Sequence, residues 1–227
     1  MNRTKSVILA VFLTGIILFS GCGNNAVDPG NGIDNVSLSV KTVNSTLNPN
    51  SIIITEAKAL ISEVEAESSD GTSSELKIAP FVIKFDLNNI LREVFSTTLP
   101  LKQYKKIKFQ IHKPEDNEIP PDPEFKEGTS GNQRYSFIIK GTYNGNPFVY
   151  KSKKSVNLVL NLNTPVNIQN TKTNITMLIH KMGWFLQSGS EIDPRDLSKE
   201  NIIDDNIKNS FISVFEDKDR DGEPDGK

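Results

Sequence analysis

The sequence predicts a mainly β fold: an antiparallel β-sandwich, one C-terminal α-helix and an acidic loop after the helix. Apolar and polar residues alternate along several short segments, which is the pattern of strands that bury one face of an antiparallel sheet. Little helical periodicity lies between these segments, and such a succession of short strands is typical of a sandwich. The alternating segments cover residues 36–40, 81–87, 107–111, 137–139, 156–162 and 175–179.

Three further segments carry predictions of their own. Asn144-Gly145 lies between two strand-like segments and predicts a tight hairpin, because both positions of a type I′ turn need positive φ. Residues 51–67 fit neither period cleanly, and the β-branched run near their start favours two strands, or one bulged strand, over a helix. Residues 87–94 carry a weak pattern for a short helix.

The stretch 113–134 interrupts the strand pattern. It contains four prolines and six carboxylate side chains, and loops of this length in compact domains tend to be functional or disordered. Two interpretations stay open at this point. The stretch is either a recognition loop stiffened by proline or a solvated, mobile excursion.

The first 21 residues have the three parts of a secretory signal peptide. Arg3 and Lys5 are basic, an apolar run covers residues 6–19, and two small residues precede Cys22. The run is shorter than the ~20 apolar residues that a membrane-spanning helix needs. The Phe-Ser-Gly-Cys junction resembles the bacterial lipobox, in which the cysteine thiol receives a diacylglyceryl group before cleavage, although Phe19 departs from the usual aliphatic residue.

Cys22 is the only cysteine in the 227 residues, so an intrachain disulfide is excluded despite an oxidising destination. Lipidation would use this lone thiol. Acyl chains contribute ~0.8 kcal/mol per buried CH₂, so several chains would make the anchor permanent. We therefore expect a lipid-anchored protein of the bacterial cell envelope, in the outer membrane. The alternative is a retained apolar anchor in which Cys22 is a buried structural residue.

The chain divides into four expected parts. These are a signal peptide at 1–21, a flexible tether at 22–34, a β-sandwich domain at 35–182 and a C-terminal unit at 183–227. Removal of the signal peptide takes away two basic residues and no acidic one, so the net charge falls from -2 to about -4. This mild negative charge offers no basic footprint for nucleic acid. We expect a monomer whose partners are a membrane and an unidentified protein or glycan.

Four strand-like segments carry a family resemblance. They read Phe81-Val-Ile-Lys-Phe-Asp-Leu, Leu99-Pro-Leu-Lys-Gln-Tyr-Lys-Lys-Ile-Lys-Phe-Gln-Ile, Ile138-Ile-Lys-Gly-Thr-Tyr-Asn-Gly and Val156-Asn-Leu-Val-Leu-Asn-Leu. On these segments, residues 35–186 resemble a family of bacterial lipoprotein β domains that has no assigned activity. The chain departs from the family at Gln103, where a glycine is usual. The resemblance implies a lipid-anchored β domain and brings no mechanism with it.

A helical pattern begins after the polar turn at 191–196. Asp196 or Ser198 is the expected N-cap, since either side chain can accept from an unpaired backbone N–H. The apolar residues at helical spacing on one face are Ile203, Ile207, Phe211, Val214 and Phe215. We expect this helix to dock on the sheet, and Trp184 to pack where the last strand leaves the sandwich.

The last eleven residues read Asp217-Lys-Asp-Arg-Asp-Gly-Glu-Pro-Asp-Gly-Lys227. Carboxylates at every second position of a tightly turned chain can converge on one calcium ion, and the glycine permits the sharp turn. The D-x-D-x-D-G core matches the first half of an EF-hand loop, and the Gly-Glu-Pro-Asp that ends it resembles a bacterial thrombospondin type 3 repeat. On that resemblance, the calcium ligands are the side chains of Asp217, Asp219, Asp221 and Asp225 and the backbone carbonyl of Glu223.

This calcium-type loop departs from both relatives. The sequence shows no bidentate glutamate at the twelfth position that an EF-hand uses, and thrombospondin repeats occur in arrays whereas one copy is present here. We therefore expect weak binding, in the range ~10⁻⁴–10⁻³ M of extracellular modules. The alternative is an acidic tail that holds no ion.

No catalytic motif accompanies these features. The chain has no G-x-S-x-G, no H-E-x-x-H and no phosphate loop, and in sequence neither His112 nor His180 lies beside a serine or carboxylate motif. We expect a non-catalytic binding or scaffolding protein with a weak calcium site.

Two alternatives of other classes remain at this point. A hydrolase could use carboxylates of the 113–134 stretch, namely Glu115, Asp116, Glu118 and Asp122. A carbohydrate-binding accessory lipoprotein would require exposed aromatic side chains. The candidates for that role are Tyr104, Tyr135, Tyr143, Tyr150 and Trp184.

Overall fold

The computed structural model describes residues 34–44, 51–77 and 80–225. The predicted signal peptide, Cys22 and almost all of the predicted tether lie outside the described residues. Within the described residues, the strands in chain order are β1 Val36–Val43, β2 Ile52–Ser68, β3 Ser73–Lys77, β4 Phe81–Lys84, β5 Arg92–Thr97, β6 Gln103–Ile111, β7 Phe137–Tyr143, β8 Asn146–Ser152, β9 Val156–Asn167, β10 Thr173–His180, β11 Leu186–Gln187, β12 Ser190–Glu191 and β13 Phe211–Glu216. The same residues contain one α-helix, α1 Glu200–Asn209. Across these ranges, no helix is both long and apolar enough to cross a membrane.

Apart from the small hairpin β11–β12, the strands form one curled mixed sheet in the order β5-β1-β10-β13-β9-β6-β2-β7-β8, with β3 and β4 also paired to β2. The prediction of a mainly β fold with a single C-terminal helix is confirmed. Most neighbouring strands are antiparallel, whereas β1 and β10, and also β13 and β9, are parallel. The β13–β9 pairing joins only Val214 to Leu162, so it separates a first half (β5-β1-β10-β13) from a second half (β9-β6-β2-β7-β8).

The two halves of the sheet share one hydrophobic core, as two layers of a sandwich do. Apolar residues of β1 and β10 in the first half belong to the same buried cluster as those of β2 and β6 in the second. Aromatic rings lie in the middle of this cluster. Phe137 stacks on Phe85 with ring centroids 5.3 Å apart, and it meets the edge of the fully buried Trp184 at 5.5 Å. Trp184 is thus packed as expected.

The predictions of a bulged strand and of a hairpin are confirmed, and the prediction of a short helix is not. Strand β2 is one strand of 17 residues, and its register shifts once against β7 and twice against β6. Asn144 and Gly145 have φ of 50° and 75°, and they connect β7 to β8 in the predicted hairpin. The prediction of a short helix at 87–94 is wrong, because Asn89 turns the chain at φ 63° and β5 begins at Arg92.

The C-terminal helix is shorter than the sequence pattern predicts. The side chain of Asp196 accepts from the N–H of Ser198 and caps a 3₁₀ turn, after which α1 runs to Asn209. Residues 211–216 form strand β13 and not the end of this helix, so the prediction is wrong for Phe211, Val214 and Phe215. The physical reason is tertiary: β-branched and aromatic residues suit a strand, and β10 offers an antiparallel partner there.

The stretch 113–134 is structured and packs on the sheet, although many of its residues are exposed. It contains two 3₁₀ turns, Pro123–Phe125 and Gly131–Gln133, and it covers the outer face of β2 and β7. The ring of Phe125 is fully buried against Leu60, Tyr135 and Ile138. Phe125 therefore attaches the stretch to the sheet in a second small core, while Ile119 remains exposed to solvent.

Candidate metal centre

The acidic loop, defined here as residues 217–225, begins where β13 ends and folds back over the first half of the sheet. Strand β13 lies beside β10, so Asp217 enters the loop at a fixed place above that strand. One carboxylate oxygen from each of Asp217, Asp219 and Asp221 lies within 4.8 Å of the other two. The loop therefore gathers three predicted ligands around a single point.

The convergence depends on a sharp turn in the backbone. Gly222 has φ +81°, a region that side chains disfavour, and a Cβ there would lie 2.5 Å from atoms of the Lys41 side chain. Arg220 also adopts a positive φ, of 61°. The backbone N–H of Asp221 donates to the Asp219 side chain at 3.3 Å, which closes the turn from within. The D-x-D-x-D-G spacing thus produces the compact loop that the sequence predicts.

Asp217 is the deepest of the three residues, with no exposed surface. Its Oδ2 atom accepts hydrogen bonds from the Thr176 hydroxyl at 2.6 Å, the Gly222 N–H at 3.2 Å and the Asn174 amide at 3.5 Å. Its Oδ1 atom is buried and accepts none from the residues that the structure describes. A buried carboxylate oxygen without a partner is costly, by about 1–3 kcal/mol or more for a charged group.

The negative charges of Asp217, Asp219 and Asp221 also repel one another. Across the described ranges, none of the three carboxylates forms an ion pair with a lysine, arginine or histidine, whereas Glu67 pairs with three lysines that lower its pKa to about 2. Burial raises the pKa of Asp217, and the charges of Asp221 and Asp219 raise it further against the hydrogen bonds from Thr176 and Gly222. A cation between the carboxylates would remove this repulsion.

The two remaining predicted ligands, Asp225 and Glu223, make other contacts. Asp225 turns back toward the start of the loop, where its Oδ2 atom accepts from the N–H of Lys218 at 2.9 Å, and it lies outside the group of three. Glu223 is exposed and its N–H donates to the Asp221 side chain at 2.7 Å. The structure thus brings together Asp217, Asp219 and Asp221, and not Asp225.

His112 has neighbours that its sequence context did not show. Its Nδ1 atom lies 3.4 Å from the Ser155 hydroxyl, and its Nε2 atom lies 3.3 Å from Glu115 and 3.8 Å from Glu118. Nucleophile–base pairs approach to about 2.6–3.2 Å, and the Ser155 hydroxyl already accepts from the N–H of Lys113 at 3.2 Å. We interpret the group as a contact that holds the 113–134 loop to the start of β9.

The other carboxylates of that loop are engaged in ion pairs. Asp122 lies 2.5 Å from the buried ammonium of Lys58, and Asp116 lies 2.5 Å from the guanidinium of Arg134. Hydrogen bonding and charge from Lys58 lower the pKa of Asp122 against the opposing effect of its burial. The Lys58 contact holds the loop on β2, and the Arg134 contact joins two parts of the loop itself, which are structural roles for the residues that the hydrolase alternative would use.

The aromatic residues that a carbohydrate site would need are largely buried. Tyr104, Tyr135, Tyr150 and Trp184 have at most 8% of their surface exposed. Tyr143 is half-buried beneath the guanidinium of Arg195, 5.7 Å from its ring centre. In the described part of the chain, the exposed large apolar side chains are all aliphatic. The observation on which the carbohydrate-binding alternative depends is therefore absent from these residues.

The fold and the loop define a mainly β protein with an acidic cluster of the kind that could hold a metal ion. No family model matches the sequence, and no curated protein matches it. Among solved structures, the chain is similar to MbnP from Methylosinus trichosporium, with a TM-score of 0.40 and 7% identity over 66% of this chain and 76% of that one. A similarity of this size does not carry the function of one protein to the other.

Proposed function

We propose that this protein is a non-catalytic, lipid-anchored binding module of the bacterial cell envelope whose acidic loop binds calcium. The observation that carries the proposal is the Oδ1 atom of Asp217, which is buried and unpartnered in a carboxylate that lies close to those of Asp219 and Asp221. Buried polar atoms are nearly always paired, and a water or an ion often accounts for an exception; Oδ1 of Asp217 differs from the other such atom in the described residues, Oε1 of Glu118, in belonging to a cluster of three carboxylates. A cation is the ligand that three unpaired carboxylates would take.

Calcium is the cation that these donors favour. Hard carboxylate and carbonyl oxygens suit calcium and magnesium, and softer metals prefer the sulfur and imidazole ligands that are lacking in this loop. Magnesium demands near-ideal octahedral geometry, whereas calcium accepts irregular sets of six to eight oxygens. A loop in which two of the three aspartates, Asp219 and Asp221, are exposed and leave room for water oxygens fits the second requirement better.

Calorimetry tests the calcium site. Calcium titrated into the wild-type protein should release or absorb heat with a dissociation constant of ~10⁻⁴–10⁻³ M, and magnesium should bind more weakly. Asp219→Asn should lose this heat, because it removes one ligand charge at an exposed position. Asp205→Asn is the matched control, since Asp205 is exposed on α1 away from the loop, and it should keep the heat. Wild type without heat, or an unaffected Asp219→Asn, would contradict the site.

The lipid anchor has its own support and its own test. It rests on the basic, apolar and small-residue order of residues 1–21 and on the single cysteine at position 22. An inhibitor of lipoprotein signal peptidase should leave an unprocessed precursor, and Cys22→Ala should remain unlabelled by radioactive palmitate. Normal processing in the presence of the inhibitor would refute the anchor and would leave the calcium site standing.

A further inference from the structure

The acidic loop contacts the first strand of the fold as well as its own. The ammonium of Lys41, in β1, donates to the backbone carbonyl of Asp221 at 3.0 Å. The guanidinium of Arg220 lies 3.5 Å from the Ser39 hydroxyl in β1 and 2.8 Å from the Glu93 carboxylate in β5. The loop therefore bridges from the end of β13 to the two strands at the far side of the first half.

A buried chain of hydrogen bonds makes the same connection beneath the loop. Asp217 accepts from Thr176 in β10, and Thr176 accepts in turn from the amide of Asn174 at 3.0 Å. The amide oxygen of Asn174 accepts from the hydroxyls of Ser37 at 3.0 Å and Ser39 at 2.7 Å, both in β1. All five side chains are buried. The carboxylate that would hold the ion is thus linked to β1 through one intervening strand.

Strand β1 is the second strand from the edge of the sheet. Its neighbours are β10 and β5, and β5 is the edge of the sheet and largely exposed or half-buried along its length. Residues 22–34, the predicted tether, come immediately before β1. Any opening of the fold that begins at the tether would first separate β1 and β5 from β10 and from the acidic loop.

We propose that an ion bound in the acidic loop holds β1 in the sheet, so that the attachment of the tether to the folded domain becomes calcium dependent. The inference rests on the proposed calcium site. Ion binding stabilises any state that keeps the site intact over one that breaks it, by a factor of 1 + [Ca²⁺]/Kd. If opening β1 disrupts the loop, ~10 mM calcium should lower the population of the opened state about 10- to 100-fold for dissociation constants of ~10⁻³–10⁻⁴ M.

Hydrogen exchange with mass spectrometry tests this on the protein purified from membranes in detergent. Amides of β1 should exchange about 10- to 100-fold more slowly in calcium than in chelator. Amides of β9, in the other half of the sheet, should change less. Heat of calcium binding is measured on the same samples, so that failure of the site and failure of the coupling are distinguished.

Two lysine variants separate the coupling from the site itself. Lys41→Met keeps the apolar stem and removes the contact with Asp221, so it should bind calcium and yet lose much of the slowing in β1. Lys84→Met is the matched control, because Lys84 is exposed on β4, which pairs with β2 in the other half of the sheet. Calcium heat with unchanged β1 exchange in wild type, or equal slowing in both variants, overturns the inference alone. Absence of calcium heat in wild type overturns the inference and the proposed site together.

Discussion

Truncation of Phe125 tests whether the 113–134 loop is an integral cover of the sheet. The ring is fully buried and packs on Leu60, Tyr135 and Ile138, and the Lys58 ammonium lies 5.5 Å from its centre. Phe125→Ala removes this apolar burial and leaves a cavity against β2 and β7. Substitutions of this kind cost about 3–5 kcal/mol in well-packed cores. We expect about 3 kcal/mol, since the cluster is small and lies near the surface.

Urea denaturation is the assay. For an m-value of about 1–3 kcal/mol per molar, a loss of 3 kcal/mol lowers the midpoint by about 1–3 M. Ile119→Ala is the matched control, because Ile119 lies in the same loop with 92% of its surface exposed, and it should change the free energy of unfolding by less than about 0.5 kcal/mol. A loss below about 1 kcal/mol for Phe125→Ala would show that the loop is not packed as described.

Three further predictions concern the C-terminal part of the chain. The folded state holds the proton of Asp217 more tightly than the unfolded chain does, because the pKa of this carboxyl is raised. In chelator, wild type should therefore lose stability relative to Asp217→Asn as pH rises from about 3.8 through the raised pKa. Denaturation at several pH values measures this, and free energies of unfolding that change in parallel with pH in the two proteins would refute it. Tyr150→Phe should cost about 1–3 kcal/mol in urea denaturation, because the hydroxyl donates to the buried Asp204 carboxylate at 2.6 Å. Trp184→Phe should cost about 1–2 kcal/mol in the same assay, since the indole N–H donates to Ser210 at 2.8 Å; a neutral effect would contradict either contact.

The strands were predictable because their signal is local. Alternation with period two places Leu38 and Val40, or Ile107 and Phe109, on one face without any knowledge of partners. The pairing of strands was not predictable, because β1 and β10 lie side by side although almost the whole β domain separates them in sequence. The alternating pattern also gave a wrong expectation for the polar face of β1. Ser37 and Ser39 look like exposed residues, yet both are buried.

The boundary between α1 and β13 was also not predictable from local periodicity. Ile203 and Ile207 begin a helical spacing that Phe211 and Val214 continue, so periodicity alone extends the helix. Strand β13 forms instead, and it pairs with β10 along most of its length and with β9 at one position. The run of aromatic and β-branched residues from Phe211 was the one available sequence signal for this change.

The metal cluster was predictable because its residues are contiguous. D-x-D-x-D-G specifies both the donors and the turn, and the structure gathers three of the expected side chains. Its surroundings were not predictable. Thr176, Asn174 and Lys41 come from distant strands, and no local pattern marks them as neighbours of the loop. Asp225 lies outside the cluster and accepts from the N–H of Lys218 within the loop itself.

A crystal grown with calcium gives the most direct test of the site. Anomalous scattering from the ion should produce a peak between the carboxylates of Asp217, Asp219 and Asp221, at about 2.3–2.6 Å from the Oδ1 atom of Asp217. Ordered loop density without a peak at that position, or a peak that leaves Oδ1 of Asp217 without a ligand bond, would contradict the account.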